Sequence, residues 1–153
     1  MSTQKEEVYV VVPEVSYKEI RELINFCSDN SINTREVYEN VLKNESDFYV
    51  DDFRFILSDD IDSIQQEELK NDSYMLGCFN AWFLSDILDA PLEAIELMQK
   101  DEAYEGIGVW IIESGKIEEL QEQYSCVDGY GHHFNHYDGN EEEMLDYYVF
   151  RTN

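Results

Sequence analysis

The amino-acid sequence predicts an α+β protein in which a small, mainly antiparallel sheet packs against four or five helices. Three observations support this class. Several segments carry apolar residues at helical spacing, other short segments are rich in Val, Tyr and Phe, and no internal repeat or Pro-rich linker divides the chain. At 153 residues the chain has the size of one domain, so residues 1–153 are expected to form a single acidic globular domain.

Four segments have the composition of β-strands. Val8–Val12 is a run of Val and Tyr, and Phe48–Leu57 is aromatic and aliphatic with partial alternation. His132–Tyr137 and Tyr147–Arg151 are rich in aromatic residues, and an acidic loop at Glu141–Asp146 is expected to join them. These segments together account for the predicted sheet.

Helices are predicted where a capping residue precedes apolar side chains three and four positions apart. Ser16–Ser28 begins with a Ser-x-x-Glu capping box, and Thr34–Lys43 begins with a residue that can cap a helix. Ser58 opens an acidic helix, Asp59–Lys70, and Lys116–Tyr124 is a further acidic helix. Acidic residues in a first helical turn are stabilised by the helix dipole.

The segment Ser73–Leu88, capped by Asp72 or by its own first residue, is apolar on nearly all sides and predicts a buried central helix. Cys27 and Cys78 lie in apolar-rich stretches, which predicts that both are small core residues. With Cys126 they make three widely spaced cysteines without a CxxC pair. This pattern favours a reducing compartment over a disulfide framework or a zinc site.

Two short regions leave the helix boundaries open. Asp89 is expected to cap the next helix, with Pro91 in its first turn and its end near Glu105. Gly106–Ile112 fits a strand and a continued buried helix equally well, because periodicity does not separate the two over so short a run.

Charge is the most unusual property of the sequence. There are 35 Asp and Glu against 10 Lys and Arg, which gives a net charge of −25. Solubility requires only about 2–8 units in a small domain, and a larger charge adds self-repulsion. The excess favours attraction to a basic partner; adaptation to high salt is the alternative. Direct binding to nucleic acid or to anionic membranes is excluded, because both are polyanions.

The localisation prediction follows from what the sequence lacks. Met1–Glu7 has neither a basic nor an apolar signal region, and no apolar run approaches the roughly 18 residues that span a bilayer. The expected compartment is the cytoplasm.

The net charge can be compared with that of DNA. A charge of 25 units equals the charge on about 12 base pairs, or about 42 Å of duplex. A compact domain of this length is about 38 Å across.

Candidate partner-binding residues are the acidic clusters that recur with few basic residues between them. On a helix, carboxylates three or four positions apart share a face, with about 5–6 Å between Cβ atoms, near the spacing of adjacent phosphates. The alternative is that each cluster is only a solvated face. The candidates are Asp51, Asp52, Asp59, Asp60, Asp62, Glu67, Glu68, Asp72, Asp101, Glu102, Glu105, Glu118, Glu119 and Glu122. Glu141–Glu143 is a further cluster of the same kind.

The histidines offer the one metal-binding alternative. His132, His133 and His136 lie within five residues, and Cys126 or Asp138 could complete a site. A hydrogen-bonded His and Tyr cluster is the favoured interpretation. No phosphate-binding loop, G-x-S-x-G or HExxH motif occurs. The sequence therefore predicts a protein that is not an enzyme and needs no cofactor.

Small size, a charge far below zero, many Tyr and Phe, and acids spread over several helices are features that resemble a known class. This class is the DNA-mimic inhibitors of phages and plasmids, namely antirestriction proteins of the ArdA and Ocr type and acidic anti-CRISPR proteins. The resemblance is one of composition over the whole chain, without a shared motif. It implies carboxylates that stand in for phosphates in the DNA-binding groove of a restriction or CRISPR nuclease.

The expected partner is therefore a basic nucleic-acid-binding protein of a nuclease complex, and a homodimer remains open. Two alternatives belong to other classes. The first is an acidic immunity or antitoxin protein that neutralises a basic nuclease toxin. The second is a small metal-binding module that uses the three C-terminal histidines.

Overall fold

The computed structural model describes residues 17–153, so the predicted strand Val8–Val12 and the predicted cap Ser16 lie outside the described residues. Residues 17–153 form eight helices and a four-stranded antiparallel sheet, which confirms the α+β class with more helices than the four or five expected. The helices are α1 (Tyr17–Asp29), α2 (Thr34–Leu42), α3 (Ile61–Lys70), α4 (Ser73–Gly77), α5 (Ala81–Leu88), α6 (Leu92–Lys100), α7 (Tyr104–Glu113) and α8 (Ile117–Phe134). The strands are β1 (Asp47–Val50), β2 (Phe53–Leu57), β3 (Glu142–Met144) and β4 (Tyr147–Arg151).

The sheet has the order β1-β2-β4-β3, and all its pairs are antiparallel. The segment Phe48–Leu57 forms two strands, because a two-residue turn at Asp51–Asp52 reverses the chain. In one uninterrupted strand, alternation would place Tyr49 on the same face of the sheet as Phe53. Because the chain turns at Asp51–Asp52, Tyr49 lies on the opposite face from Phe53, and it is 58% exposed. Asp51 has a φ of 52°, a left-handed conformation that Asp adopts more readily than most residues.

Helices cover both faces of the sheet. On one face Phe55 packs in a cluster with Leu23 of α1 and Val37 of α2. On the other face Ile56 packs with Phe134 at the end of α8. Because both faces are covered, the interior of β2 is buried at every position instead of alternating.

Helices α4, α5, α6 and α7 form a second apolar cluster together with the first half of α8. Its fully buried members include Leu76, Leu84, Ile95, Ile107 and Leu120. At the crossing of α4 and α7, a Cβ on Gly77 would meet the backbone of Tyr104, and a Cβ on Gly108 would meet that of Ser73. The two glycines therefore permit the close approach of these helices.

The predicted central helix over Ser73–Leu88 is interrupted. Asp72 caps α4 as predicted, accepting a hydrogen bond from the Met75 N–H at 3.0 Å. The Asn80 side chain then accepts from the Trp82 N–H and starts α5, because Asn competes with helix continuation through its own side chain. The prediction of full burial is also wrong: Trp82 is 67% exposed, and Cys78 is exposed.

The structure resolves the region from Asp89 to Ile112 into two helices. Asp89 has a φ of 49° and ends α5, so it is not the N-cap of the next helix, a position that Pro91 occupies. Glu102, with a φ of 58°, separates α6 from α7. Gly106–Ile112 is helical, since it lies within α7.

The four remaining predicted helices, α1, α2, α3 and α8, begin within two residues of their expected starts. The cap of α2 is Asn33 and not Thr34, because the Asn33 side chain accepts from the Glu36 N–H at 3.1 Å. Cys27 on α1 is buried, as predicted for a small core residue.

At the C-terminus, β4 coincides with the predicted strand Tyr147–Arg151. The predicted strand His132–Tyr137 is wrong: α8 continues through a kink at Gly129 as far as Phe134, which packs under the sheet. The expected loop Glu141–Asp146 contains β3, which supplies the edge strand instead. Among residues 17–153, no helix has the length and apolar character needed to cross a membrane.

Replacing Gly108 by Ala is expected to lower the free energy of unfolding by about 1–3 kcal/mol, because the added methyl group overlaps the Ser73 backbone. Urea denaturation followed by circular dichroism measures this change. Gly106 on the same helix is the matched control. A Cβ there meets nothing within 4 Å, so Gly106→Ala is expected to stabilise the protein by about 0.5–1 kcal/mol. Equal effects of the two substitutions would contradict the tight α4–α7 crossing.

Candidate interface for a basic partner

Some of the candidate carboxylates stabilise the fold, and the clearest case surrounds Arg54. Its side chain is almost fully buried and donates hydrogen bonds of 2.7–2.8 Å to both carboxylate oxygens of Asp47 and one of 2.7 Å to Glu68. The guanidinium lies 5.3 Å from the Tyr49 ring centre and 5.0 Å from that of Phe134. A buried cation requires such compensation, so the carboxylates of the exposed Asp47 and the partly buried Glu68 stabilise the fold itself.

The ionisation of Glu68 depends on two neighbours. His133 Nε2 lies 3.4 Å from Glu68 Oε1, the same oxygen that accepts a hydrogen bond of 3.3 Å from Arg54 Nη1. Burial tends to raise the pKa of Glu68, but its contacts with His133 and Arg54 outweigh burial and lower the pKa to about 2. Glu68 is therefore a partly buried anion that is paired within the fold, and of the candidate carboxylates it is the one least suited to an external partner.

A polar network holds α3 against α8 and includes another candidate, Asp62. Its Oδ1 accepts hydrogen bonds from Gln121 Nε2 at 2.8 Å and from the Tyr130 hydroxyl at 2.7 Å. Gln121 also donates to Gln65 Oε1 and accepts from Gln66 Nε2. Burial raises the pKa of the Tyr130 hydroxyl, and its bond to Asp62 raises it further. Asp62 is exposed, yet its Oδ1 is committed to the helix pair.

Three more candidates hold turns and helix ends. Asp51 Oδ2 accepts from the Asn33 N–H at 2.9 Å, which ties the β1–β2 turn to the start of α2. Asp60 Oδ2 accepts from the Ser46 hydroxyl at 2.7 Å, and Asp72 caps α4. These carboxylates therefore have local structural roles whether or not a partner is bound.

Other candidates meet on the outer surfaces of α3 and α8. Glu67 and Glu118 line one groove of about 280 Å³ between the two helices, together with Lys70. Glu122 follows Glu118 by one helical turn and is exposed, as is Glu119.

We call the four carboxylates Glu67, Glu118, Glu119 and Glu122 the α3–α8 acidic face. One of them is partly neutralised, since Lys116 Nζ lies 3.3 Å from Glu119 Oε2 in an exposed ion pair. The four carboxylates of the face outnumber Lys116 and Lys70, so the face remains negative.

The remaining candidates lie elsewhere. Asp52 is in the β1–β2 turn, and Asp59 is exposed in the turn that precedes α3. Asp101, Glu102 and Glu105 are exposed where α6 gives way to α7. The fourteen candidates therefore do not form one cluster but are distributed over several surfaces of the fold.

Sequence reasoning did not locate a cleft of about 480 Å³ between α1 and the β3–β4 hairpin. Its lining includes the carboxylate residues Glu19, Glu22, Glu143 and Asp146, and none of the described residues around it is Lys or Arg. We call this feature the acidic cleft. Ser58 fixes its floor, because the Ser58 N–H and hydroxyl both donate to the Asp146 carbonyl, at 2.8 and 2.6 Å.

Two tyrosines that line the acidic cleft have raised pKa values, mainly because of burial. Burial, followed by the negative charges of Glu45, Asp146 and Asp60, raises the pKa of Tyr147 to about 12. Burial and the nearby Glu143 carboxylate raise the pKa of Tyr148 to about 12 as well. Negative neighbours oppose formation of a phenolate, so these shifts have the sign expected in an anionic environment.

The histidine cluster divides between interior and surface. His133 contacts Glu68, whereas His132 and His136 are exposed. His132 and His133 both place their rings edge-on to Tyr124, at 5.8 and 5.9 Å between ring centres. Among residues 17–153, no three His, Cys, Asp or Glu side chains are placed to hold a metal ion.

No protein-family model, no curated protein and no solved structure matches this chain. The functional features of the protein are its fold and the placement of charge described above. These define an acidic α+β protein with two carboxylate-rich surfaces, the acidic cleft and the α3–α8 acidic face.

Substituting Glu68 by Gln is expected to destabilise the protein by about 1 kcal/mol at pH 7, a value discounted for the partial exposure of this carboxylate. The wild-type contribution of Glu68 is complete above the ordinary pKa near 4.5 and is lost as the pH falls toward 2, because folding lowers this pKa. The variant should therefore lose less stability across that pH range than the wild type does.

Thermal unfolding between pH 7 and pH 2.5 measures both effects. The control is Glu67→Gln, the exposed neighbour, for which the same loss of one charge should leave stability almost unchanged. Identical pH profiles for Glu68→Gln and the wild type would refute the assigned role of Glu68.

Proposed function

We propose that this protein is a non-enzymatic inhibitor that occupies the basic nucleic-acid-binding groove of a defence nuclease, of restriction or CRISPR type, in place of DNA. The observation that carries the proposal is the acidic cleft, where four residues with carboxylate side chains converge from α1 and the β3–β4 hairpin. With 35 Asp and Glu and only 10 Lys and Arg, most carboxylates would stay unneutralised even if every Lys and Arg paired with one.

The α3–α8 acidic face supports the proposal through its regular spacing. Glu118 and Glu122 are separated by one turn of α8, which corresponds to a rise of about 6 Å. Glu67 adds a carboxylate from the neighbouring helix across the shared groove. A series of anions at such intervals is the arrangement that a groove lined with Lys and Arg for phosphates would accept.

Rigidity of the scaffold favours binding. The network of Asp62, Gln121 and Tyr130 fixes α8 against α3, and Arg54 with Phe134 fixes the end of α8 against the sheet. The carboxylates of the α3–α8 acidic face are thus held on helices whose positions are set before binding. A preorganised surface loses less conformational entropy on association.

Competition with DNA is the first expected outcome. The protein should displace a labelled DNA duplex from catalytically inactive restriction and Cas-type nucleases, measured by fluorescence polarisation. The affinity should fall by at least about tenfold between 50 and 200 mM salt, because complementary charges are screened. Formation of a ternary complex with DNA still bound, or an affinity independent of salt, would contradict the proposal.

The acidic cleft can be tested with two triple variants that change the net charge equally. Glu22→Gln, Glu143→Gln and Asp146→Asn together remove three charges from the cleft and should weaken binding by about tenfold or more, given roughly 0.5–1 kcal/mol per ion pair. The matched control neutralises the three exposed acids of the α6–α7 junction, Asp101, Glu102 and Glu105. Equal weakening by both triples would show that net charge, and not the cleft, determines binding.

A further inference from the structure

A second kind of surface lies between α5 and α8. A groove of about 260 Å³ is lined by the aromatic rings of Phe79, Phe83 and Tyr124 and by Val127, with Asp128 at its border. Phe79 contacts Phe83 at 5.4 Å and Tyr124 at 4.9 Å between ring centres, so the floor is packed. We call this feature the α5–α8 groove.

The groove continues along the two helices. An adjoining hollow of about 180 Å³ shares Phe83 and is lined by Ile87, Asp86, Glu119 and Gln123. Along the groove, later residues of α5 lie opposite earlier residues of α8. The two helices on either side of the groove are therefore antiparallel. From residue 119 to residue 128 of α8 the groove extends about 13 Å, or between two and three helical turns.

The chemistry of the groove is an apolar floor with acidic ends. Val127 is 76% exposed at its edge. Asp128 lies at one end, and Asp86 and Glu119 lie at the other, where Glu119 also pairs with Lys116. Among the described residues that line either part, none is Lys or Arg. One exposed apolar side chain and the partly exposed rings of Phe79 and Phe83 thus form a small apolar surface with a polar rim, as docking surfaces do.

We propose that the α5–α8 groove binds a basic amphipathic helix of the target protein. Apolar side chains spaced three and four residues apart on that helix would contact the rings of Phe79 and Phe83, and Lys or Arg at its ends would face Asp128 and Asp86. This inference rests on the proposed function for the basic character of the target, and it adds an apolar contact that salt does not weaken. A second copy of this chain, at a net charge of −25, would be repelled.

The test uses a synthetic peptide of about 18 residues, made of Leu and Lys with Leu at helical spacing, and an isomer of the same composition in scrambled order. Fluorescence anisotropy with the full-length protein measures both affinities at one salt concentration. The amphipathic peptide should bind at least tenfold more tightly than its isomer. Equal affinities would overturn the inference, because charge alone would then explain binding.

A pair of Val→Arg substitutions locates the site. Val127→Arg should weaken binding of the amphipathic peptide by at least tenfold, since it places a cation in the groove. Val109→Arg on α7 is matched in residue type and charge change, at a position that is 46% exposed and outside the groove. Equal effects would overturn the assignment of the site. Circular dichroism verifies that both variants are folded.

Two further readouts separate the possible outcomes. Sedimentation that shows a wild-type dimer dissociated by Val127→Arg would assign the groove to a second copy and overturn the inference. The variant with three charges removed from the acidic cleft should keep peptide binding while it loses competition with DNA. Failure of peptide binding alone, with DNA still displaced, refutes only the helix-binding role and leaves the proposed function standing.

Discussion

The buried guanidinium of Arg54 is the interaction on which the arrangement of the acidic helices depends. It lies on β2, pairs with Asp47 on β1 and with Glu68 on α3, and stacks under Phe134 at the end of α8. His133 completes the set from α8 through its contact with Glu68. One cation thus joins the sheet to both helices of the α3–α8 acidic face, and loss of a partner would leave a buried charge less well compensated.

The second constraint is the self-repulsion of a chain with a net charge of −25. Some of the carboxylates stabilise the fold through hydrogen bonds. Asp62 is an example, because it accepts hydrogen bonds from two side chains of α8. The other part is kept at the surface, where water and counterions screen it. Helix α8 links these functions, because its first half packs in the helical core, its last residue packs under the sheet, and its outer side carries Glu118 and Glu122.

Local signals predicted the elements whose stability is local. The strand Tyr147–Arg151 follows from its composition, and the starts of four helices follow, within two residues, from apolar spacing. The errors arise where a distant contact decides the outcome. The β-like segment Phe48–Leu57 forms two strands with a turn at Asp51–Asp52, because these strands pair with each other and the second pairs with β4. The first residues of the segment His132–Tyr137 are helical because Phe134 packs against the sheet.

Charge is additive over residues, so composition is enough to establish the excess of carboxylates. Only the tertiary structure distinguishes Glu67, which is exposed, from Glu68, which is partly buried and paired with Arg54, although the two are adjacent in sequence. The same holds for Glu22 and Glu143, which line one cleft from opposite ends of the chain. Convergence of that kind depends on long-range packing, and no local pattern of residues encodes it.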